Sequence, residues 1–187
     1  MAKIILLEGP DGSGKTYLSN KIVEKYKASY IHSSRPKDKD DIHYPSIYTW
    51  TAAELIKKSN CDVILDRHFL SQIIYQEVFE KGKSSENFSS PCFMNGFDKI
   101  VICLPEKEKY LEKFNSLKNE REELYDNMNE IYEAYKNLYY GIEQNLIKNQ
   151  FFNEVIKNGG LKMLNNVVLY DMYNDNIEEI IEKVMKG

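Results

Sequence analysis

Eight consecutive residues near the start of the chain, Gly9-Pro10-Asp11-Gly12-Ser13-Gly14-Lys15-Thr16, have the types and spacing to hold a polyphosphate. They fit the pattern G-x-x-x-x-G-K-[ST]. Gly9, Gly12 and Gly14 permit a tight turn, with Ser13 inside it, whose successive backbone N–H groups point inward at phosphate oxygens. Lys15 contributes a mobile positive charge for the outer phosphates, and Thr16 a hydroxyl for Mg²⁺. Asp11 is an acidic residue inside the loop.

Arginine is scarce, with only Arg35, Arg67 and Arg121 among 25 basic residues. Guanidinium forks match phosphate better than solvated lysine ammonium groups do, so their positions are informative. Arg35 follows the second strand signal, Arg67 the third, and Arg121 lies in a charged stretch after the fourth. Ligands of an open parallel α/β sheet bind beyond the carboxyl ends of its strands, where all three could converge on the loop's phosphate. Ordinary surface exposure is the alternative, most of all for Arg121. Asp66 closes a strand beside Arg67. It could hold Mg²⁺ through water or orient an attacking group, or simply cap the following helix.

The elements that must position these residues read as an alternation of strands and helices. Lys3–Glu8 is a short apolar run ahead of the loop, and Tyr17–Lys27 follows it with apolar residues at helical spacing (Leu18, Ile22, Val23, Tyr26). Ser29–Ser33 reads as a second strand and 34–46 as a polar loop. Residues 47–59 read as a helix with Ile47, Trp50, Ala53, Leu55 and Ile56 inward. Strand 62–66 and helix 68–81 follow, the latter with Leu70, Ile73, Ile74, Val78 and Phe79 inward. A loop spans 83–97, a strand 98–104 and a helix 106–117. A charged segment around 117–124 reads as a short lid, and 124–150 as a long helix interrupted only by Gly141. Strand 165–170 and helix 176–185 close the chain. The alternation predicts one α/β domain over 1–187, with five parallel strands covered by helices on both faces. Tyr132, Tyr135 and Tyr139 share one face of the long helix, which at this spacing is core packing rather than a stacking platform.

Bulk properties narrow the partners. A chain of 187 residues can bury a sizeable core, and a net charge of −4 offers no general attraction to nucleic acid or to an anionic membrane. The three cysteines, Cys61, Cys92 and Cys103, lack C-x-x-C spacing, which points to a reducing, cytoplasmic setting with buried thiols. No leader and no bilayer-length apolar run is read in the sequence. The three histidines show no metal-ligand spacing.

The octad together with Asp66-Arg67-His68-Phe69-Leu70-Ser71-Gln72-Ile73-Ile74-Tyr75-Gln76 resembles the thymidylate kinase family. That family pairs a P-loop holding an internal acidic residue with a D-R-[YH]-x-x-S-x-x-A-Y-Q-like segment. Ser34-Arg35-Pro36 is similar to its T-R-E-P motif with one residue missing, and Tyr170-Asp171-Met172-Tyr173 is placed like its adenine-side loop. The resemblance spans most of the chain and is specific at two motifs. It implies a three-layer P-loop kinase fold with strand order 2-3-1-4-5 and a short lid. By matching position, Asp11 would face the acceptor's deoxyribose hydroxyl, and Arg35 and Arg67 would clamp the acceptor phosphate. Asp66 would serve the metal or the acceptor, Ser71 and Gln76 would lie near the acceptor base, and Tyr173 on the adenine side. The loop's variable positions hold no arginine, so the lid would supply the transition-state cation, Arg121, with Lys118 behind it. The family's L-F-x-A-x-R helix has no counterpart between Ile42 and Asn60. There Trp50 is the candidate to stack on a base, core packing being the other reading.

The expected activity is phosphoryl transfer from ATP to a nucleoside monophosphate, dTMP or a close pyrimidine deoxynucleotide. Two alternatives stay open: a P-loop kinase acting on a nucleoside or a hydroxymethylated base in DNA, and a nucleotide-binding module without activity. The expected partners are small nucleotides, without membrane or nucleic acid. The apolar side of His68–Lys81 would serve either a homodimer or the intramolecular core.

Overall fold

A computed structural model describes residues 1–33, 44–80, 96–116, 127–143 and 166–186. Five short, largely apolar segments form the strands β1 (Ile4–Glu8), β2 (Ser29–His32), β3 (Val63–Asp66), β4 (Lys99–Cys103) and β5 (Val167–Tyr170). All four neighbouring pairs run parallel, in the order β2-β3-β1-β4-β5. The order implied by the family resemblance is the order found.

Alternation along each strand sends side chains to two cores. Ile4, Leu6, Val63, Leu65, Ile100 and Ile102 pack on one face against α2 (Tyr44–Lys58), α3 (Phe69–Glu80) and α5 (Met128–Glu143). Ile5, Leu7, Ile64, Val101, Cys103 and Val168 pack on the other against α1 (Lys15–Tyr26) and α6 (Ile177–Lys186). The remaining helix, α4 (Lys107–Ser116), buries Tyr110 against α5. Helices therefore cover both faces of a doubly buried sheet, as near-continuous apolar strands require.

Two local expectations are corrected. Residues 44–46, read as loop, already belong to α2. Pro45 stands in its first turn, where a missing N–H costs nothing and a fixed φ suits the helix. Leu55, expected inside, is exposed, because the buried stripe of α2 runs instead through Ala53 with Trp50 and Ile56 beside it. The tyrosines of α5 are core residues as expected: Tyr132 and Tyr135 are buried and Tyr139 packs on the same cluster. Cys103 is buried, which pushes its thiol up to about 12, whereas Cys61 is half-buried. Cys92 and His43 lie outside the described residues. No helix among the described residues is long and apolar enough to cross a membrane.

The register aligns the strand ends. His32 pairs with Asp66, Leu7 with both Asp66 and Val101, and Cys103 with Tyr170. The loop after β1, Arg67 after β3 and the 171–176 segment after β5 therefore leave the sheet at one edge.

Candidate active site

The octad wraps over the end of β1 before entering α1. Gly9 has φ 145°, and a Cβ there would lie 2.3 Å from the Cys103 carbonyl oxygen, so any other residue would collide with the end of β4. Gly14, at φ 91°, precedes the first turn of α1, whose amides receive no side-chain cap. A Cβ at Gly14 would sit 2.9 Å from Met172 Cβ, so the segment after β5 closes directly on the loop. Uncapped helix amides at the end of a glycine-rich turn form an anion cradle.

Lys15 is buried beneath the loop. Its ammonium donates to Gly9 O at 2.9 Å, Pro10 O at 2.6 Å and Ser13 Oγ at 3.4 Å. Burial lowers its pKa to about 8. The Arg67 charge acts in the same direction, while Asp66 and Asp11 oppose it. Thr16 is exposed on the first turn of α1.

Asp66 is 2% exposed. Tyr30 donates its hydroxyl to Asp66 Oδ2 at 2.7 Å, and His32 Nδ1 lies 3.3 Å from the same oxygen. Oδ1 is buried without a hydrogen-bond partner among the described residues. The carboxylate thus engages β2 rather than capping α3. Burial first and Asp66 second raise the Tyr30 pKa, while the nearby Ser19 and Thr16 hydroxyls act against them. Asp66, Tyr30 and Thr16 gather at one point beside the start of α1. A buried carboxylate oxygen with spare capacity near a helix-terminal hydroxyl suits a hydrated divalent cation. Among the described residues there is no cluster of three or more metal-ligating side chains. A cation here would complete its shell with water and phosphate oxygens, which is how Mg²⁺ is commonly held.

Arg67 adopts φ 70°, a left-handed conformation uncommon outside glycine. From that turn its side chain, 15% exposed, reaches the loop. Nη2 donates to Asp11 Oδ1 and, at 3.3 Å, to the Tyr75 hydroxyl, while Nη1 lies 3.5 Å from Ser71 Oγ. The guanidinium lies over the Tyr75 ring, 5.0 Å from its centre. Burial works against its charge, but Tyr75, Tyr135 and Asp11 outweigh that and hold it firmly protonated. Tyr110 completes the wall by donating to the Asp11 carbonyl at 2.9 Å.

Of the other expected site residues, Ser71 is buried at the foot of this cluster, and Gly12 is exposed at the crest of the loop. Tyr173 is half-buried after β5, its N–H bonded to Asp171 Oδ1 at 2.9 Å and its ring 5.8 Å from the Lys109 ammonium. The Trp50 ring meets Phe97 edge-on at 5.1 Å and His68 at 6.3 Å, within the core under α2. Arg35, Arg121, Lys118 and the lid at 117–124 lie outside the described residues, as does the side chain of Gln76.

Sequence reasoning missed five participants: Glu8, Tyr30, Tyr75, Tyr110 and Tyr135. Four are tyrosines hidden among the chain's fourteen. Two had a signal: Tyr75 stands in the segment that resembles the family's second motif, and Glu8 is a carboxylate closing an otherwise apolar strand immediately before Gly9. Glu8 is 0% exposed, and accepts from His68 N–H at 2.8 Å, the Tyr135 hydroxyl at 3.1 Å and the Ser71 hydroxyl.

Comparison with solved structures bears on this arrangement. YorR from Bacillus subtilis, in complex with phosphorylated GDP, superposes with a TM-score of 0.58 at 16% identity, covering 98% of this chain and 94% of that one. Deoxyadenosine kinase from M. mycoides with bound dCTP gives 0.54 at 16% identity, covering 98% and 100%. The fold is that of the P-loop nucleotide kinases. Thymidylate kinase from Candida albicans shares this P-loop kinase fold, with a TM-score of 0.55 at 13% identity over 99% and 90% of the two chains. In sequence, a protein of Acidianus bottle-shaped virus (isolate Italy/Pozzuoli) with a provisional thymidylate kinase name is 25% identical over 166 residues, spanning 87% of this chain and 98% of its own. No protein-family model matches the chain.

Proposed function

We propose that this P-loop kinase fold transfers the γ-phosphoryl group of ATP to a nucleoside monophosphate, with dTMP or a related pyrimidine deoxynucleotide as acceptor. The observation that carries the reading is the reach of Arg67 to the P-loop, where a firmly charged guanidinium stands at Asp11 on the same sheet edge as Lys15. A phosphorylated acceptor gives that charge a second anionic partner beside Asp11, and a neutral nucleoside does not. The similarity to a viral protein with a thymidylate kinase name supports a pyrimidine deoxynucleotide.

The loop amides and Lys15 bind the donor phosphates, Lys15 exchanging its carbonyl partners for phosphate oxygens. Thr16 and Asp66 would hold Mg²⁺, which supplies charge neutralisation on the outer phosphates. Arg67 holds the acceptor phosphate in line for attack, with Arg35 as its second hand. Arg121 closes from the lid over the transferring group as charge spreads across its oxygens. The chain's contribution is positioning and electrostatic complementarity, and closure excludes water that would otherwise take the phosphoryl group.

A second reading draws on Asp66, whose spare buried oxygen could accept a proton from a hydroxyl acceptor such as a nucleoside. Labelled ATP incubated with nucleosides, nucleoside monophosphates and DNA separates the readings. Transfer to dTMP or another pyrimidine deoxynucleotide is expected. Transfer only to nucleosides or DNA replaces the acceptor, and ATP binding without any product removes the enzyme reading.

A further inference from the structure

Arg67 stands in a left-handed backbone conformation, φ 70°, and successive N–H groups of that turn are tied to the end of β1. The Arg67 N–H donates to Leu7 O at 3.0 Å, extending the β1 register by one bond. The next N–H, that of His68, donates to Glu8 Oε1 at 2.8 Å. Glu8 Oε2 receives the Ser71 hydroxyl from the first turn of α3 and the Tyr135 hydroxyl at 3.1 Å from α5, and those two hydroxyls lie 2.8 Å apart. Three donors from β3–α3 and α5 thus converge on one fully buried carboxyl group at the end of β1. The group also stands at the N-terminal end of α3, where helix amides favour an acceptor.

We propose that Glu8 is the positioning residue for Arg67: it clamps the left-handed turn between β3 and α3, and so aims the guanidinium at the P-loop. Glu8, fully buried, acts through the backbone of 67–68 and through Ser71. A carboxyl in this place couples the strand that ends in the P-loop to the turn that carries the acceptor-side cation. The two phosphate sites are thereby kept in one frame. A generic core residue at position 8 would fill the space but leave the His68 N–H, and one of the two hydroxyls, without this acceptor.

The claim rests on the functional reading above only where acceptor binding is measured, so the test has a second readout. The chain holds three arginines, and their side-chain Nε–H groups give three assignable NMR signals. Glu8→Leu is expected to shift the Arg67 signal toward that of an exposed arginine. Its acceptor KM should rise about tenfold or more while the KM for ATP changes less than about twofold. Glu8→Gln keeps an acceptor for His68 N–H and a polar group for both hydroxyls, and is expected to restore the signal and most of the acceptor KM. If Glu8→Leu does not fold, Tyr135→Phe is expected to move the Arg67 signal part of the way. An unmoved Arg67 signal in these variants, or a Glu8→Gln as damaging as Glu8→Leu, overturns the proposal. A wild-type chain that phosphorylates no nucleoside monophosphate removes the functional reading, and the Arg67 signal then decides the positioning claim by itself.

Discussion

The Arg67 guanidinium, carried by the turn after β3, donates to the Asp11 carboxylate in the loop after β1, and so ties the two segments together across the sheet edge. Arg67→Ala is expected to raise the acceptor KM about a hundredfold and to lower kcat as well. Arg67→Lys should recover only part of this, because a single ammonium cannot present two nitrogens, one to Asp11 and Tyr75 and the other to Ser71. Asp11 is 44% exposed, so Asp11→Asn should change stability by less than about 1 kcal/mol. Steady-state kinetics with acceptor varied at saturating ATP, alongside thermal melts, check all three.

Lys15 gives the site a pH dependence of definite sign. Its pKa is lowered to about 8, by burial first and Arg67 second. Below that pH the ammonium is charged and attracts phosphate. Above it the free protein holds a neutral amine, which must take up a proton when the nucleotide binds. ATP affinity is therefore expected to weaken as pH rises through about 8, by up to about tenfold per pH unit. Calorimetric Kd values from pH 6.5 to 9.5, about the range that brackets this pKa, read the slope. Lys15→Ala should flatten it, and a wild-type Kd that stays constant would show that Lys15 does not sense this burial.

Asp66 has a spare oxygen, and Tyr30 occupies the other. Asp66→Asn is expected to raise the Mg²⁺ concentration for half-maximal rate about tenfold or more, since a carboxylate that grips the ion's water shell is lost. Binding of ATP in the presence of EDTA should be little changed. A Mg²⁺ titration at fixed ATP that is superimposable on the wild type removes Asp66 from the metal's surroundings.

Arg121 is expected to act only as charge develops. Arg121→Ala should lower kcat at least about a hundredfold and move the acceptor KM far less. Parallel falls in kcat/KM for both substrates with kcat unchanged would assign it to binding instead.

How much of this was legible depended on the range of the interaction that decides it. The P-loop was legible because its logic is local: glycines for the turn, lysine and threonine at fixed offsets, a strand before and a helix after. The buried stripes of α1 and α3 were legible for the same reason, through Leu18, Ile22, Leu70 and Ile74. What escaped is long-range. Tyr135 bonds Glu8 across 127 residues and Tyr110 bonds Asp11 across 99, and an amphipathic pattern says only that such tyrosines face inward, not what their hydroxyls meet. Tyr30 was one residue of a short strand until β2 was paired with β3 and brought it to Asp66. Leu55 was misread because one apolar residue can fall outside a helix's stripe at no great cost.

The contact between Gly9 and the Cys103 carbonyl has a further consequence. It seats the loop directly on a central strand, so the cradle inherits the stiffness of the sheet. An anion binding there would find the amides already arrayed and surrender little entropy in ordering them. In the proposed reaction, discrimination among acceptors would fall to the opposite wall, where Arg67 and Tyr75 stand on a turn and a helix rather than on a strand.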